Sequence, residues 1–296
     1  MTGFVPGKRE ITYKGSSGAE RRAIIDVPAR ALHDPVPLIL APHPAGWTNA
    51  EDFHGGALDT VAPHPGWYGL AQKHGVVVVS PETYGERVPL LSLGYKPSLK
   101  DSVGAIDAVR ALGIRIDADR IYACGLSMGG QETLLLIAQN PGLFAAGFAF
   151  NPVIDIRAWY NDFIASPSYD DLAGDDPSLA LDALIEAEFG GPADDYQTAC
   201  AERSPISYAA RLTTTPLMIY WSHLDDIVPN QATRQSLALA SLIKQLDPNA
   251  PIALFNHTWS HGYSLFDFRE RWALHEFSDY DLAATWLLTN RTSPGR

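Results

Sequence analysis

The chain has 296 residues, 46% of them hydrophobic and 19% charged, a composition that fits a globular protein with a large core and excludes a disordered chain. Its formal net charge of −12 disfavours nucleic acid or an anionic membrane surface as a partner. Two cysteines, Cys124 and Cys200, are too few for a disulfide framework, and no apolar run approaches the ~18 residues of a membrane span.

The first residues, "MTGFVPGKREITYKG", lack the apolar stretch of a signal peptide, so a cytoplasmic location is expected. "REITYKG" and "RRAIIDVPA" alternate in polarity and predict an antiparallel pair at one sheet edge. Continuous apolar runs follow: "PLILAPH" (37–43), "GVVVVSP" (75–81), "RIYACGLS" (120–127), "AAGFAFNP" (145–152), "PLMIYWSH" (216–223) and "PIALFNH" (251–257). Unbroken runs of this kind predict strands of a parallel sheet covered on both faces. Between them, Val103, Ile106 and Val109 mark a helix closed by Gly113, and Met128 to Asn140 is Leu-rich and stops at Pro141-Gly142. Gln231 to Gln245 and Asp279 to Asn290 are the remaining predicted helices. The alternation predicts an α/β fold, a mostly parallel sheet of about eight strands with helices on both faces.

Residues 154–211 interrupt that rhythm. From Asn161 to Asp195 there are ten acidic residues and no Lys or Arg. A single domain is expected for 1–296, with 154–211 as an acidic helical insertion before the acid-bearing strand. It is either a solvated surface element or a cap whose Trp159, Tyr160, Phe163 and Phe189 face a pocket.

"CGLSMGG" (124–130) sits between a strand and a helix, the context of a nucleophile elbow. The turn is sharp enough that side chains at 125 and 129 would strike neighbouring backbone, and Gly130 lets the helix pack closely on the sheet. Ser127 then projects from the C-terminal edge of the sheet, where open α/β sheets put ligands. The N–H of Met128, at the helix start, would face a developing oxyanion.

A serine hydroxyl needs a base, and the base needs an orienting acid. "HLDDIVP" after one later strand offers Asp225 and Asp226; "TWSHGYS" after the next offers His261, with His257 at the strand end. Asp225 is preferred, with Asp226 assigned to cap a helix beginning near Pro229. His261 is preferred because it lies in the loop beside Gly262, whereas His257 is expected to be packed or at the surface. Ser127, Asp225 and His261 are 98 and 36 residues apart. The second oxyanion N–H is expected from "APHPAGWTN" (41–49), at Ala45 ahead of Gly46, with His43 shaping the turn. Cys124 is read as core. Trp47, Tyr84, Trp159, Trp221, Trp259 and Tyr263 are candidate pocket residues.

With strands, elbow, acid and histidine in this order, the chain resembles an α/β-hydrolase over about residues 20–290. Two segments are sharper. "LKDSVGAIDAVRALGIRIDADRIYACGLSMGGQETLLLIAQNPGLFAAGFA" and "ERSPISYAARLTTTPLMIYWSHLDDIVPNQAT" resemble the catalytic domain of the prolyl oligopeptidase family and its esterase relatives. "SHGY" resembles that family's G-H-G-F and points to His261; Val228-Pro229 after Asp225 points to Asp225 as the acid. The chain departs from the pattern at "WSHLD" before the acid and at His43-Pro44-Ala45 in place of H-G-G. The resemblance implies a Ser-His-Asp acyl-enzyme mechanism without metal or organic cofactor. The chain starts about 35 residues before the third strand, so a stand-alone catalytic domain without a propeller is expected. The substrate is expected to be a small carboxylic ester; the alternative is a peptidase acting on short peptides or acyl-amides. A catalytically inactive ligand-binding relative is a third reading, and no nucleic-acid or membrane partner is expected.

Overall fold

The computed structural model describes residues 4–44, 67, 69–89, 91–165, 181–191, 196–225, 227–256 and 279–292. Its strands are β1 (Gly7–Lys14), β2 (Glu20–Val27), β3 (Val36–Leu40), β4 (Val77–Pro81), β5 (Ile116–Leu126), β6 (Ala146–Phe150), β7 (Leu217–Trp221) and β8 (Ile252–Asn256). They form one eight-stranded sheet in the order β1-β2-β4-β3-β5-β6-β7-β8. β1 pairs antiparallel with β2, and β2 antiparallel with β4; the pairs from β4 to β8 are parallel. The edge hairpin and the parallel body are those expected from alternating and continuous apolar patterns. Every residue of β3, β4 and β6 is buried, because helices cover both faces.

Helices α1 (Leu70–His74), α2 (Lys96–Ala111), α3 (Met128–Gln139), α4 (Ile156–Ile164), α5 (Leu181–Phe189), α6 (Gln197–Glu202), α7 (Ser236–Leu246) and α8 (Tyr280–Leu287) complete the described elements, with short 3-10 turns at Ala29–Leu32 and Pro205–Arg211. Successive strand side chains point to opposite faces, so each strand feeds two cores. Leu38, Leu40, Val77, Val79, Ile219 and Trp221 pack with residues of α2, α3 and α7. Ile39, Val78, Tyr122, Cys124, Phe148, Phe150 and Tyr220 pack with α1 and α8. Cys124 is fully buried there and burial pushes its thiol well up, as a core residue requires.

One helix boundary differs from expectation. The helix read from Gln231 begins at Ser236 instead. Asn230 takes a positive φ of 59° and its carbonyl accepts from the N–H groups of Thr233, Arg234 and Gln235, which makes tight turns out of 230–235. No helix begins near Pro229 for Asp226 to cap, so that assignment fails; Asp226 itself lies outside the described residues.

The segment between β6 and β7 adds a third apolar cluster. Trp159, Tyr160 and Phe163 of α4 and Ile185 and Phe189 of α5 pack there with Leu91, Leu93, Met128 and Val228. Among the described residues, no helix is long and apolar enough to cross a membrane.

Candidate active site

Ser127 stands between the last residue of β5 and the first of α3 with φ 56° and ψ −119°. A non-glycine residue held there is strained, and such strain persists only where the surroundings impose it. Here they do. The Ser127 N–H donates to Phe150 O at 2.8 Å, and Ser127 O accepts from Gln131 N–H at 2.9 Å. A Cβ on Gly125 would lie 2.4 Å from Gly129 O, and one on Gly129 would lie 2.3 Å from Pro42 O. A Cβ on Gly130 would lie 3.0 Å from Phe150 O. The three glycines are therefore required by close backbone approach, as the sequence reading holds. From Ile121 to Ala138 every residue is buried except Ser127, which is half-exposed.

The same contacts bring the loop after β3 against the elbow. Pro42 and His43 carbonyls border Gly129. His43 is buried, with Nδ1 2.7 Å from Pro44 O and Nε2 2.8 Å from Thr83 Oγ1. A carbonyl can only accept, so Nδ1 carries the proton and the Thr83 hydroxyl donates to Nε2 in the neutral ring. These bonds shape the turn that follows β3. Ala45, Gly46 and Trp47 lie outside the described residues. Met128 is buried, and its N–H, first in α3, has no acceptor within the helix.

Asp225 lies just beyond β7, two strands across from β5, and is buried. Its Oδ1 accepts from the N–H groups of Ile227 (3.0 Å) and Val228 (2.9 Å), and its Oδ2 lies 3.4 Å from Gln231 Nε2. Backbone donors of this kind fix a carboxylate in direction. Gln231, not singled out in the sequence, also contacts Pro152 O and so ties the acid loop to the end of β6. β8 ends at Asn256, beside the end of β7, and His257, Trp259, His261 and Tyr263 follow it outside the described residues.

The described pocket candidates separate. Trp159 joins the cluster that contains Met128, and its indole N–H donates to Ile227 O at 2.7 Å. It thereby pins α4 to the acid loop. Trp221 packs instead in the core below α7, with its Nε1 buried and unpartnered. Tyr84 donates its hydroxyl to Asp101 Oδ2 at 2.7 Å, and Arg21 stacks on its ring at 3.7 Å. Burial pushes that phenol up to about 12. Its contacts are those of a bolt between the edge hairpin and α2. Among the described residues, no group of three or more His, Cys, Asp or Glu is placed to hold a metal ion.

A mostly parallel sheet in this order, with a strained serine on its central strand–helix turn and a buried aspartate two strands away, defines an α/β-hydrolase fold. Residues 95–279 match the family model described as "Prolyl oligopeptidase family", so the chain belongs to that family of serine hydrolases. No curated protein matches the chain. Among solved structures it is similar to an acylaminoacyl peptidase of Pyrococcus horikoshii (19% identity, TM-score 0.65, 96% of this chain and 41% of that one). It is also similar to a Porphyromonas gingivalis dipeptidyl peptidase 4 (22%, TM-score 0.62, 96% and 35%) and a Mycobacterium tuberculosis puromycin-hydrolyzing peptidase (20%, TM-score 0.63, 89% and 37%). The chain spans about two fifths of the length of these structures.

Proposed function

We propose that this chain hydrolyses amide bonds of short peptides or acylated amines by acyl transfer to Ser127. His261 would take the Ser127 proton as the hydroxyl attacks the carbonyl, then give it to the leaving amine. Asp225 would orient the imidazole and stabilise its charged form. The N–H groups of Ala45 and Met128 would hold the oxyanion. Water would repeat the sequence on the acyl-enzyme. The observation that carries the reading is the strained φ of Ser127 at the only half-exposed position between residues 121 and 138. A single domain with 154–211 as its insertion is the organisation we infer for it.

The amide preference rests on the family and on its solved relatives, one of which is an acylaminoacyl peptidase in complex with a peptide chloromethyl ketone. It reverses the ester preference drawn from the sequence, which leaned on the chain's length. The ester reading stays second on one observation. Two described carboxylates that could anchor a peptide amino terminus, Glu82 and the insertion's Glu188, already have partners: Glu82 accepts from the Arg22 N–H, and Glu188 pairs with Arg203. With both engaged, a neutral acyl group is favoured over a free ammonium.

The test is a fluorophosphonate label followed by a substrate panel on the wild type and Ser127→Ala. We expect labelling of Ser127 and turnover of N-acylated aminoacyl anilides. The Ser127→Ala variant should lose turnover by about a thousandfold or more. Turnover of p-nitrophenyl esters alone would establish the esterase reading, and absence of labelling would remove the hydrolase reading altogether.

A further inference from the structure

Glu132 is the one charged residue in α3, whose sequence is MGGQETLLLIAQ, and it lies one helical turn beyond Met128. It is fully buried. The Ser92 hydroxyl lies within hydrogen-bond reach of Glu132 Oε1 and 3.4 Å from Met128 Sδ. The Gly94 N–H faces the same carboxyl group. The other oxygen, Oε2, is buried without a partner. Among the described residues no cation pairs with it, so no opposite charge offsets the cost of burying its own.

What the carboxyl grips is a tight turn. Ser92 O accepts from Tyr95 N–H at 2.8 Å, and the two residues between take positive φ, 40° at Leu93 and 74° at Gly94. Leu93 is disfavoured there and is fixed only by what surrounds it. Glu132 holds the first residue of that turn through the Ser92 hydroxyl. Leu91 and Leu93 of the same segment pack in the cluster with Met128, Trp159 and Phe189.

We propose that Glu132 is a positioning residue for Met128: acting through Ser92, it fixes the Met128 thioether, and with it the direction of the backbone N–H at the elbow. The proposal rests on Ser127 as nucleophile and on Met128 as oxyanion donor. Burial pushes the Glu132 carboxyl up to about 8, against smaller lowering effects of Ser92 and Gly94. At neutral pH it is therefore an acid. Its proton can then be donated to Ser92 Oγ, leaving the Ser92 hydroxyl proton to point at Met128 Sδ. When Glu132 ionises, the Ser92 hydroxyl turns to the carboxylate and Met128 loses its partner.

The ionisable groups around it are few. The turn carries only Tyr95. From the end of α6, Arg203 lies 3.4 Å from Ser92 O and is itself engaged by Glu188 (2.6 Å) and Glu86 (3.1 Å). On α2, Lys96 and Lys100 are exposed and Asp101 is held by Arg21. Arg211 in the 3-10 turn is exposed, Tyr208 beside it donates to Glu202 O, and β6 carries no ionisable group. At β5 the charged residues, Asp117, Asp119 and Arg120, sit at the opposite end from the elbow.

The experiment measures kcat, KM and the rate of fluorophosphonate labelling from pH 5 to 9.5. The proteins are the wild type, Glu132→Gln, Glu132→Ala and Ser92→Ala. In the wild type, kcat and labelling rise with the base and fall again with an ionisation near 8, while KM changes less than twofold. Glu132→Gln, which keeps one donor and one acceptor, retains turnover and loses the alkaline fall. Glu132→Ala and Ser92→Ala lower kcat about tenfold, short of the loss of a whole oxyanion donor. An unchanged alkaline fall in Glu132→Gln, or none in the wild type, overturns the proposal. Should the Glu132 variants fail to fold, the wild type against Ser92→Ala decides: an alkaline fall in labelling of equal size in both overturns it. No labelling of wild-type Ser127 at any pH overturns the hydrolase reading and this proposal together, a result distinct from labelling that ignores Glu132.

Discussion

At the residue scale the elbow turns on atoms that are absent. A methyl at Gly129 would sit 2.3 Å from Pro42 O and 3.0 Å from His43 O. Gly129→Ala should therefore drive the loop after β3 away from α3. We expect a loss of about 1–3 kcal/mol, the range for overpacking, read from urea unfolding. Turnover should fall further than stability explains, because that loop leads to Ala45. Equal activity per folded molecule would show that the approach of the two backbones is incidental. The glycines were legible in the sequence because a sharp strand-to-helix turn admits no other residue. Glu132 was not. Its weight comes from burial and from a turn some forty positions earlier, and neither shows in a Leu-rich helix. Gln231 escaped for the same reason: two of its contacts, Asp225 and Pro152, are brought together only by the fold.

At the element scale the insertion is clamped. The Glu188 carboxylate accepts from the N–H groups of Glu86, Arg87 and Val88 at 2.7–2.8 Å, and pairs with Arg203 at 2.6 Å. Its side chain is fully buried and that of Arg203 nearly so. One carboxylate thus joins α5 to the 86–88 backbone and to the end of α6, while Trp159 joins α4 to the acid loop. Glu188→Ala would leave Arg203 with the exposed Glu86 as its remaining carboxylate and would strand three backbone donors, and removing one partner of a buried pair costs about 3–5 kcal/mol. Asp107→Ala, which removes an exposed pair with Arg110, should cost less than about 1 kcal/mol. Chemical denaturation of both variants checks the contrast; equal losses would mean that the clamp is ornamental. The broken strand–helix rhythm marked 154–211 in the sequence as an expected insertion, and its aromatics as candidates to face a pocket. Its clamp was not, because an acidic run carries no mark of which carboxylate is buried. The start of α7 was misplaced for a related reason. Apolar spacing extends back to Gln231, but the positive φ of Asn230 turns the backbone into successive turns first.

At the scale of the whole molecule, the parallel body was legible because apolar runs buried on both faces leave one reading. How the edge hairpin is fastened to that body was not. The fastening is Asp101 of α2, whose side chain is fully buried. It accepts from Ser16 N–H (2.5 Å), Arg21 Nε (2.9 Å) and the Tyr84 hydroxyl (2.7 Å), and its backbone carbonyl accepts from Tyr13. Burial raises this carboxyl, but the hydrogen bonds from Ser16, Tyr84 and Arg21 outweigh it and hold the group below its ordinary value. A depressed carboxylate adds stability that is present above its unfolded value and is lost as pH falls through its folded one. Asp101→Asn should therefore be less stable than the wild type at pH 7, by about 1–3 kcal/mol for the lost charged hydrogen bonds. The gap should narrow below about pH 4, where the unfolded chain begins to protonate Asp101 while the folded one still excludes the proton, and should close as pH falls through the folded value. Urea unfolding at pH 7, 5, 4 and 3 measures that gap. A constant difference across the series would mean that shape rather than charge fastens the hairpin. A narrowing gap would place the molecule's acid sensitivity at the junction of β1, β2 and α2, far along the sheet from the elbow.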